Sequence, residues 1–360
     1  APAEAARQTL ESWAQKYPGN LEPHGLLSGF MSQGLGRYAN AAEEGQRAIE
    51  LRPEFSIAYE TTAWAYVYEN RVPEAEAVLQ KASERKIDVF NLSLCRYIIA
   101  FLKSDAAAME RESTHRKAKF EAHGRFEHQE ALTLAWQGRV KEANRLSDRA
   151  VVLARQGNFL ELAAVFQGAR AVWDARFGFR TDAQTNAATA MSLYPGRDTS
   201  FGPAFALALL NETAQAHKIA ADLSKSYPDF TSAQFNYLPA LGALEALDRG
   251  EPAKAVEITQ AAVPYELAVP ETAFFSHAFF GALYPVYVRG LAYSRMGRHA
   301  DAAREFQKFL DHPGVTLNDP MGPMARLELA RALSNSGDRA RSAAEYKDLL
   351  MIWKDADADL

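Results

Sequence analysis

GLLSGFMSQGLGRYANAAEEGQRAIELRP, residues 25–53, holds the pattern that the rest of the chain repeats. A break at Gly36–Tyr38 divides it into two helices joined by a tight turn. Gly29, Ala41 and Ala48 are small residues of the kind needed where two helices cross closely, and Pro53 ends the second helix because it cannot continue one. The unit is therefore a helical hairpin with one apolar side.

Working outward, the same landmarks return at a fixed step. Ala41, Ala75, Met109 and Ala143 stand 34 residues apart, as do Ala48, Ala82, Arg116 and Ala150. Gly29, Ala63, Tyr97 and Ala131 form a third ladder of the same step. The unit around Met109 is degenerate, with Tyr97 and Arg116 where small residues belong. Three ladders sharing a 34-residue period match the tetratricopeptide unit. Past Ala150 the units lengthen: Ala183, Ala216, Ala255, Ala302 and Ser342 follow at steps of 40, 33, 39, 47 and 40. Ala6, Leu10 and Pro18 look like the second helix of a unit whose first helix is missing. The expected fold is all-α: a right-handed superhelical solenoid of antiparallel helix pairs of tetratricopeptide type, about nineteen helices in all. It is expected as one domain over 1–360, with a half repeat at 1–20, regular repeats at 21–150, and longer, irregular ones at 151–360. No alternating β-branched run bounded by turn residues is found.

Composition agrees with a folded chain: of 360 residues, 48% are hydrophobic and 24% charged. A formal net charge of −5 disfavours a nucleic-acid surface, which needs concentrated Lys and Arg. The single cysteine, Cys95, rules out an intrachain disulfide. No apolar run has the length to span a bilayer, so no membrane segment is expected within these residues. The chain opens at Ala1 inside a helical pattern, which reads as an excised or processed piece.

Several segments narrow the likeness. KSDAAAMERE (103–112), QFNYLPALGALEALDRGEPAKAVE (234–257), PYELAVPETAFFSHAFFGALYPVYVRGLAY (264–293), EFQKFLDHPGVTLNDPMGPMARLELARAL (305–333) and WKDADADL (353–360) are distinctive. Together they resemble the C-terminal tetratricopeptide region of bacterial eukaryotic-type serine/threonine protein kinases, over essentially the whole chain. Similar tails occur on winged-helix transcriptional regulators. The resemblance implies a docking or sensory role, and a location outside the cytoplasm beyond a membrane-spanning helix, with the cytoplasm as the alternative. The kinase itself is not here: there is no Gly-rich loop after a strand and no H-R-D catalytic loop, and DARFG at 174–178 is not a D-F-G motif. No catalytic residue carries over.

Chemistry is sparse along the chain. None of the eight histidines forms an H-E-x-x-H pair, and His123 and His128 lie too far apart to share a helical face well. Surface or packing roles suit them better than metal ligation. Cys95 lies in the apolar stretch LSLCRYIIAFL and reads as a small hydrophobe rather than a nucleophile. No cofactor is expected, and no enzymatic activity.

The inner surface says more. In tetratricopeptide arrays the first helix of each unit lines the concave face, and its ninth position points inward. That row reads Phe30, Trp64, Ile98, Leu132, Val172, Phe205, Leu244 and Leu291, ending at Arg331. An Asn/Lys carboxylate clamp is replaced by apolar groups. Two readings stand: a groove for a protein or peptide segment anchored by rings such as Trp64 and Trp136, or a row buried by superhelical packing. Packing is the more economical, since aromatic stripes at helical spacing are usually core. Tyr68, His128 and Arg176 are the polar-tipped candidates for orienting a ligand.

PYELAVPETAFFSHAFFGA places Phe274, Phe275, Phe279 and Phe280 outside the repeat rhythm, in an aromatic insertion at 264–282 that is expected to tuck against the solenoid. The function expected is a protein-interaction scaffold. The alternative is a small-ligand sensor, whose signature would be a closed cavity lined by the ninth-position row. Self-association through the truncated first repeat is a further expectation.

Overall fold

The computed structural model describes residues 2–119, 124–270, 281–358 and 360. The phenylalanines of the aromatic insertion, Phe274, Phe275, Phe279 and Phe280, lie outside the described residues, so its expected tucking stays open.

Among the described residues there is no strand, and helices follow one another in pairs. A lone α1 (Pro2–Lys16) precedes them. Then come α2 (Leu21–Leu35) with α3 (Tyr38–Leu51), α4 (Ser56–Tyr68) with α5 (Val72–Glu84), and α6 (Phe90–Leu102) with α7 (Ala106–Lys119). They are followed by α8 (Arg125–Trp136) with α9 (Val140–Gln156), α10 (Leu160–Arg176) with α11 (Arg180–Leu193), and α12 (Arg197–Leu209) with α13 (Thr213–Ser226). The series closes with α14 (Leu238–Asp248) and α15 (Pro252–Thr259), α16 (Tyr284–Arg295) and α17 (His299–Asp311), a single turn α18 (Pro313–Thr316), and α19 (Met321–Asn335) with α20 (Arg339–Ile352). This is a tetratricopeptide-type solenoid.

The ladders explain why the pairs pack. Ala41, Ala75 and Ala143, and likewise Ala48, Ala82 and Ala150, are fully buried. A larger side chain at these crossings would hold the helices apart. Gly45 of α3 shows how close the approach is: a Cβ there would stand 2.0 Å from Thr62 Oγ1 of α4.

A fourth ladder emerges from the backbone. Gly36, Asn70, Ser104 and Gly138 all have positive φ, between 58° and 76°, and stand 34 residues apart. Gly178, Asn211, Gly250, Gly297 and Gly337 continue it at the same steps as the alanines. Each closes the first helix of its pair in the left-handed region, and the next amide bonds back to the helix, as in Arg71 N–H to Tyr66 C=O at 2.8 Å and Arg139 N–H to Leu134 C=O at 2.9 Å. Glycine or asparagine suits that conformation because the Cβ penalty is absent or offset.

One hydrophobic core runs from Leu21 to Leu333 with Trp353 packed against it, while smaller clusters lie under α1–α3 and under α9–α10. The solenoid does not stay open. Its C-terminal third folds into the concave side of the N-terminal repeats, joining residues more than 180 positions apart.

Candidate functional site

The inner row and its neighbours are where a partner was expected, and the structure places them as follows. Trp64, Tyr68, Ile98, His128, Leu132 and Phe205 are buried; Phe30, Trp136 and Arg176 are half-buried. Trp64 and Tyr68 lie ring to ring at 5.7 Å, and Tyr68 lies 4.9 Å from Tyr38. Burial pushes the Tyr68 phenol well above its ordinary value, so it stays protonated. His128 is stacked on Phe166 at 4.1 Å, with Trp173 at 6.2 Å behind. Phe205 packs 4.7 Å from Tyr284. Arg176 donates to Tyr287 Oη and lies 5.0 Å over that ring. Burial likewise pushes the Cys95 thiol far up, which keeps it a small apolar group.

The chain also lays a distant segment of itself against α4 and α8. Asn70, the left-handed residue after α4, grips the main chain of a distant segment: its Oδ1 accepts from Gly314 N–H at 2.8 Å and its Nδ2 donates to Asp311 C=O at 3.2 Å. Gly314 is required there, since a Cβ would fall 1.8 Å from Val67 O. Farther in, Gln129 Nε2 donates to Asn318 Oδ1 at 2.8 Å, while Asn318 Nδ2 donates to Gln129 C=O at 3.1 Å and Thr133 Oγ1 at 2.9 Å. All three side chains are buried. Between the two grips Leu317 takes φ 52° and ψ −137°, a conformation a bulky residue adopts only when its surroundings force it. At the far end Trp353 Nε1 donates to Trp136 C=O at 3.1 Å. Trp64, Ile98, Leu132 and Phe205 are all enclosed within the chain, Phe205 against Tyr284.

Sequence reading singled out the ninth-position row but not Asn70, Gln129, Thr133 and Asn318. Asn70 stood in the 34-residue register of Gly36 and Gly138, and Asn318-Asp319-Pro320 is a turn-forming string. Neither signal says what the side chain meets 189 or 244 residues away.

A second feature lies at the seam where α1 and α2 meet the stretch from Asp229 to Asn236 and the 3-10 turn Gln260–Tyr265. Tyr38 Oη donates to Leu267 C=O there, and Gly36 comes against the Ala268 backbone. Arg289, buried between Glu266 at 2.7 Å and Glu305 at 2.6 Å, holds this stretch in place. Beside it is a cavity of about 200 Å³, walled by Phe30, Phe230, Phe235 and Tyr265 and edged by Asp229 and Asn236. Phe235 and Asn236 stand on a π-helical turn, Ala233–Tyr237, a local irregularity common at functional sites. Asn236 Nδ2 donates to Ala282 C=O at 2.8 Å, and its Oδ1 has no hydrogen-bond partner among the described residues. Phe30 is the one member of the expected inner row that faces this space.

No protein-family model matches the chain, and no curated protein matches it. Several solved structures are similar in overall course. Yeast Tom70 is 13% identical with a TM-score of 0.38, over 97% of this chain and 88% of that one. The human IFIT1 dimer with PPP-AAAA is 14% identical with a TM-score of 0.40, over 92% of this chain and 68% of that one. The P58(IPK) TPR domain is 12% identical with a TM-score of 0.27, over 94% and 95%. The architecture rests on the chain's own repeats, with 34-residue ladders of small residues realised as stacked helix pairs, the tetratricopeptide arrangement.

Proposed function

We propose that residues 1–360 act as one non-catalytic protein-interaction scaffold, the docking or sensory part of a larger signalling protein such as a bacterial serine/threonine kinase. The observation that supports this reading is the way the inner face holds polypeptide. Asn70 recognises a main-chain N–H and C=O rather than a side chain, which is how a surface grips a segment whatever its sequence. Gln129 and Thr133 then select an asparagine. The kinase context rests on the sequence resemblance, as does a location outside the cytoplasm.

The test is chemical crosslinking and capture from the native host with the wild type and with Asn318→Ala, which loosens the cis segment. Partner crosslinks on α4 and α8 that grow in the variant support a groove gated by residues 311–322. Crosslinks on outer helices in both proteins support docking on the convex side. A folded protein that retains no specific partner in either form sinks the scaffold reading.

A second reading, the small-ligand sensor, draws support from the seam cavity, because Phe30 lines it and the cavity lies between chain stretches that must meet to close the superhelix. Screening a fragment library by protein-observed NMR, with Ala6→Trp to fill the space, tests it. Fragments that bind the wild type but not the variant support a ligand site; an absence of cavity hits removes the sensor reading.

A further inference from the structure

We propose that the seam cavity binds a small alkylated ammonium ion, its methyl groups surrounded by the rings of Phe30, Phe230, Phe235 and Tyr265 and its charge balanced by Asp229. Size comes first. A space of about 200 Å³ is roughly 7 Å across, somewhat larger than the order of 150 Å³ that accepts a benzene-sized guest. An occupant of that space lies within the ~6 Å over which a ring attracts a cation. Phe235 and Tyr265 already stand 4.8 Å apart and inclined at 45°, forming a corner rather than a flat stack.

The sign of the site comes next. The charged side chain at the wall is an acid, beside hydroxyls of Thr231, Ser232 and Tyr265 that can accept as well as donate. Asp229 is exposed and has no ion pair among the described residues. Asn236 spends its donor on Ala282 C=O, and the negative end of its amide is left uncancelled just behind the wall. Ring faces carry the same sign. The nearby cations are already matched: Arg197, 4.3 Å over the Phe230 ring, is held by Asp198 through two bonds of 2.9 and 2.8 Å, and Arg37 pairs with Glu4. A neutral apolar guest would leave Asp229 unused, and an anion would be repelled by its carboxylate. An alkylated ammonium uses the rings and Asp229 together, and its methyl groups suit apolar walls in a way a bare inorganic cation does not.

The inference deepens the sensor reading and depends on it for its consequence: a guest touching Phe30 on one side and Tyr265 on the other would brace the contact that Tyr38 and Leu267 make beside it.

The experiment titrates the full chain with choline and with 3,3-dimethylbutan-1-ol, its uncharged carbon isostere, by calorimetry. Hydrogen exchange at residues 36–41 and 265–268 is followed in parallel. Choline is expected to bind saturably and about tenfold tighter than the alcohol. Asp229→Asn, on an exposed side chain, should weaken choline about threefold without moving the thermal midpoint, and Phe235→Leu should weaken it about tenfold. An alcohol that binds as tightly as choline overturns the ammonium assignment and leaves the sensor reading standing. Choline that does not bind, or binds equally to both variants, overturns the site. Choline binding that leaves seam exchange unchanged upholds the ligand class and removes the sensor reading instead.

Discussion

Asp319 is a buried carboxyl held far from its ordinary state. It begins the turn into α19, is wholly enclosed, and receives Met321 N–H at 2.9 Å and Tyr284 Oη–H at 3.4 Å. Burial outweighs these two donors and pushes its carboxyl up to about 7 from 3.8. In the unfolded chain the group ionises near its usual value, while in the folded protein it keeps its proton. Folding therefore binds a proton between those limits, and stability contributed by this group falls as pH rises from 3.8 to about 7, then levels. The whole window corresponds to about 4 kcal/mol at most. Asp319→Asn is expected to match wild type near pH 4 and to exceed it by a few kcal/mol at pH 8. Urea midpoints measured across that range check it, and parallel curves would show that another group sets the slope. Asp174, enclosed by Asn144, Asn186 and Arg170, is raised by burial to about 6 and should bend the wild-type curve in the same direction.

At the scale of the element, the helix pairs are set by what fits between them, and two glycines separate fit from intrinsic preference. Gly29 in α2 and Gly45 in α3 both sit in helix interiors, where alanine is preferred by about 1 kcal/mol. At Gly29 a Cβ would meet Thr61 Cγ2 at an ordinary 3.6 Å, so Gly29→Ala should stabilise by up to about 1 kcal/mol. At Gly45 it would meet Thr62 Oγ1 at 2.0 Å and Ser28 Oγ at 2.8 Å, so Gly45→Ala should destabilise by about 1–3 kcal/mol. Chemical denaturation of the two variants reads both signs; a shared sign would mean that propensity, not helix contact, governs this pair. This is also the scale at which the sequence was most legible. Ala41, Ala48 and Ala63 repeat because each pair solves the same local packing problem, and local problems leave periodic traces. Asn70 and Ser104 escaped notice because a left-handed turn accepts several residue types, so its ladder shows in φ and not in letters.

For the whole molecule, the decisive contacts are those between the C-terminal third and the inner face. Asn318→Ala would leave the Gln129 amide without its partner in a closed space, a loss of about 1–3 kcal/mol. The expected signature is selective: faster hydrogen exchange across residues 311–322 and the inner side of α8, with α11 and α13 unchanged. Uniform acceleration would mean that the segment and the solenoid unfold as one unit. These contacts were not legible beforehand. A repeat is legible through its period, and a bond such as Asn70 to Gly314 has none; the spacing of Phe30, Trp64 and Leu132 could be read, but not what lies against them.

The grip of Asn70 on Gly314 also spans 244 positions of chain. At a synthesis rate of about 5–20 residues per second, the first repeats emerge some 12–50 s before the segment that covers them. Through that interval the Asn70 amide has no distant main chain to hold, while the repeats around it have already emerged. A ribosome-bound chain of this protein is thus a different object from the finished one: a run of repeats without its distant segment, and a natural client for whatever attends nascent chains.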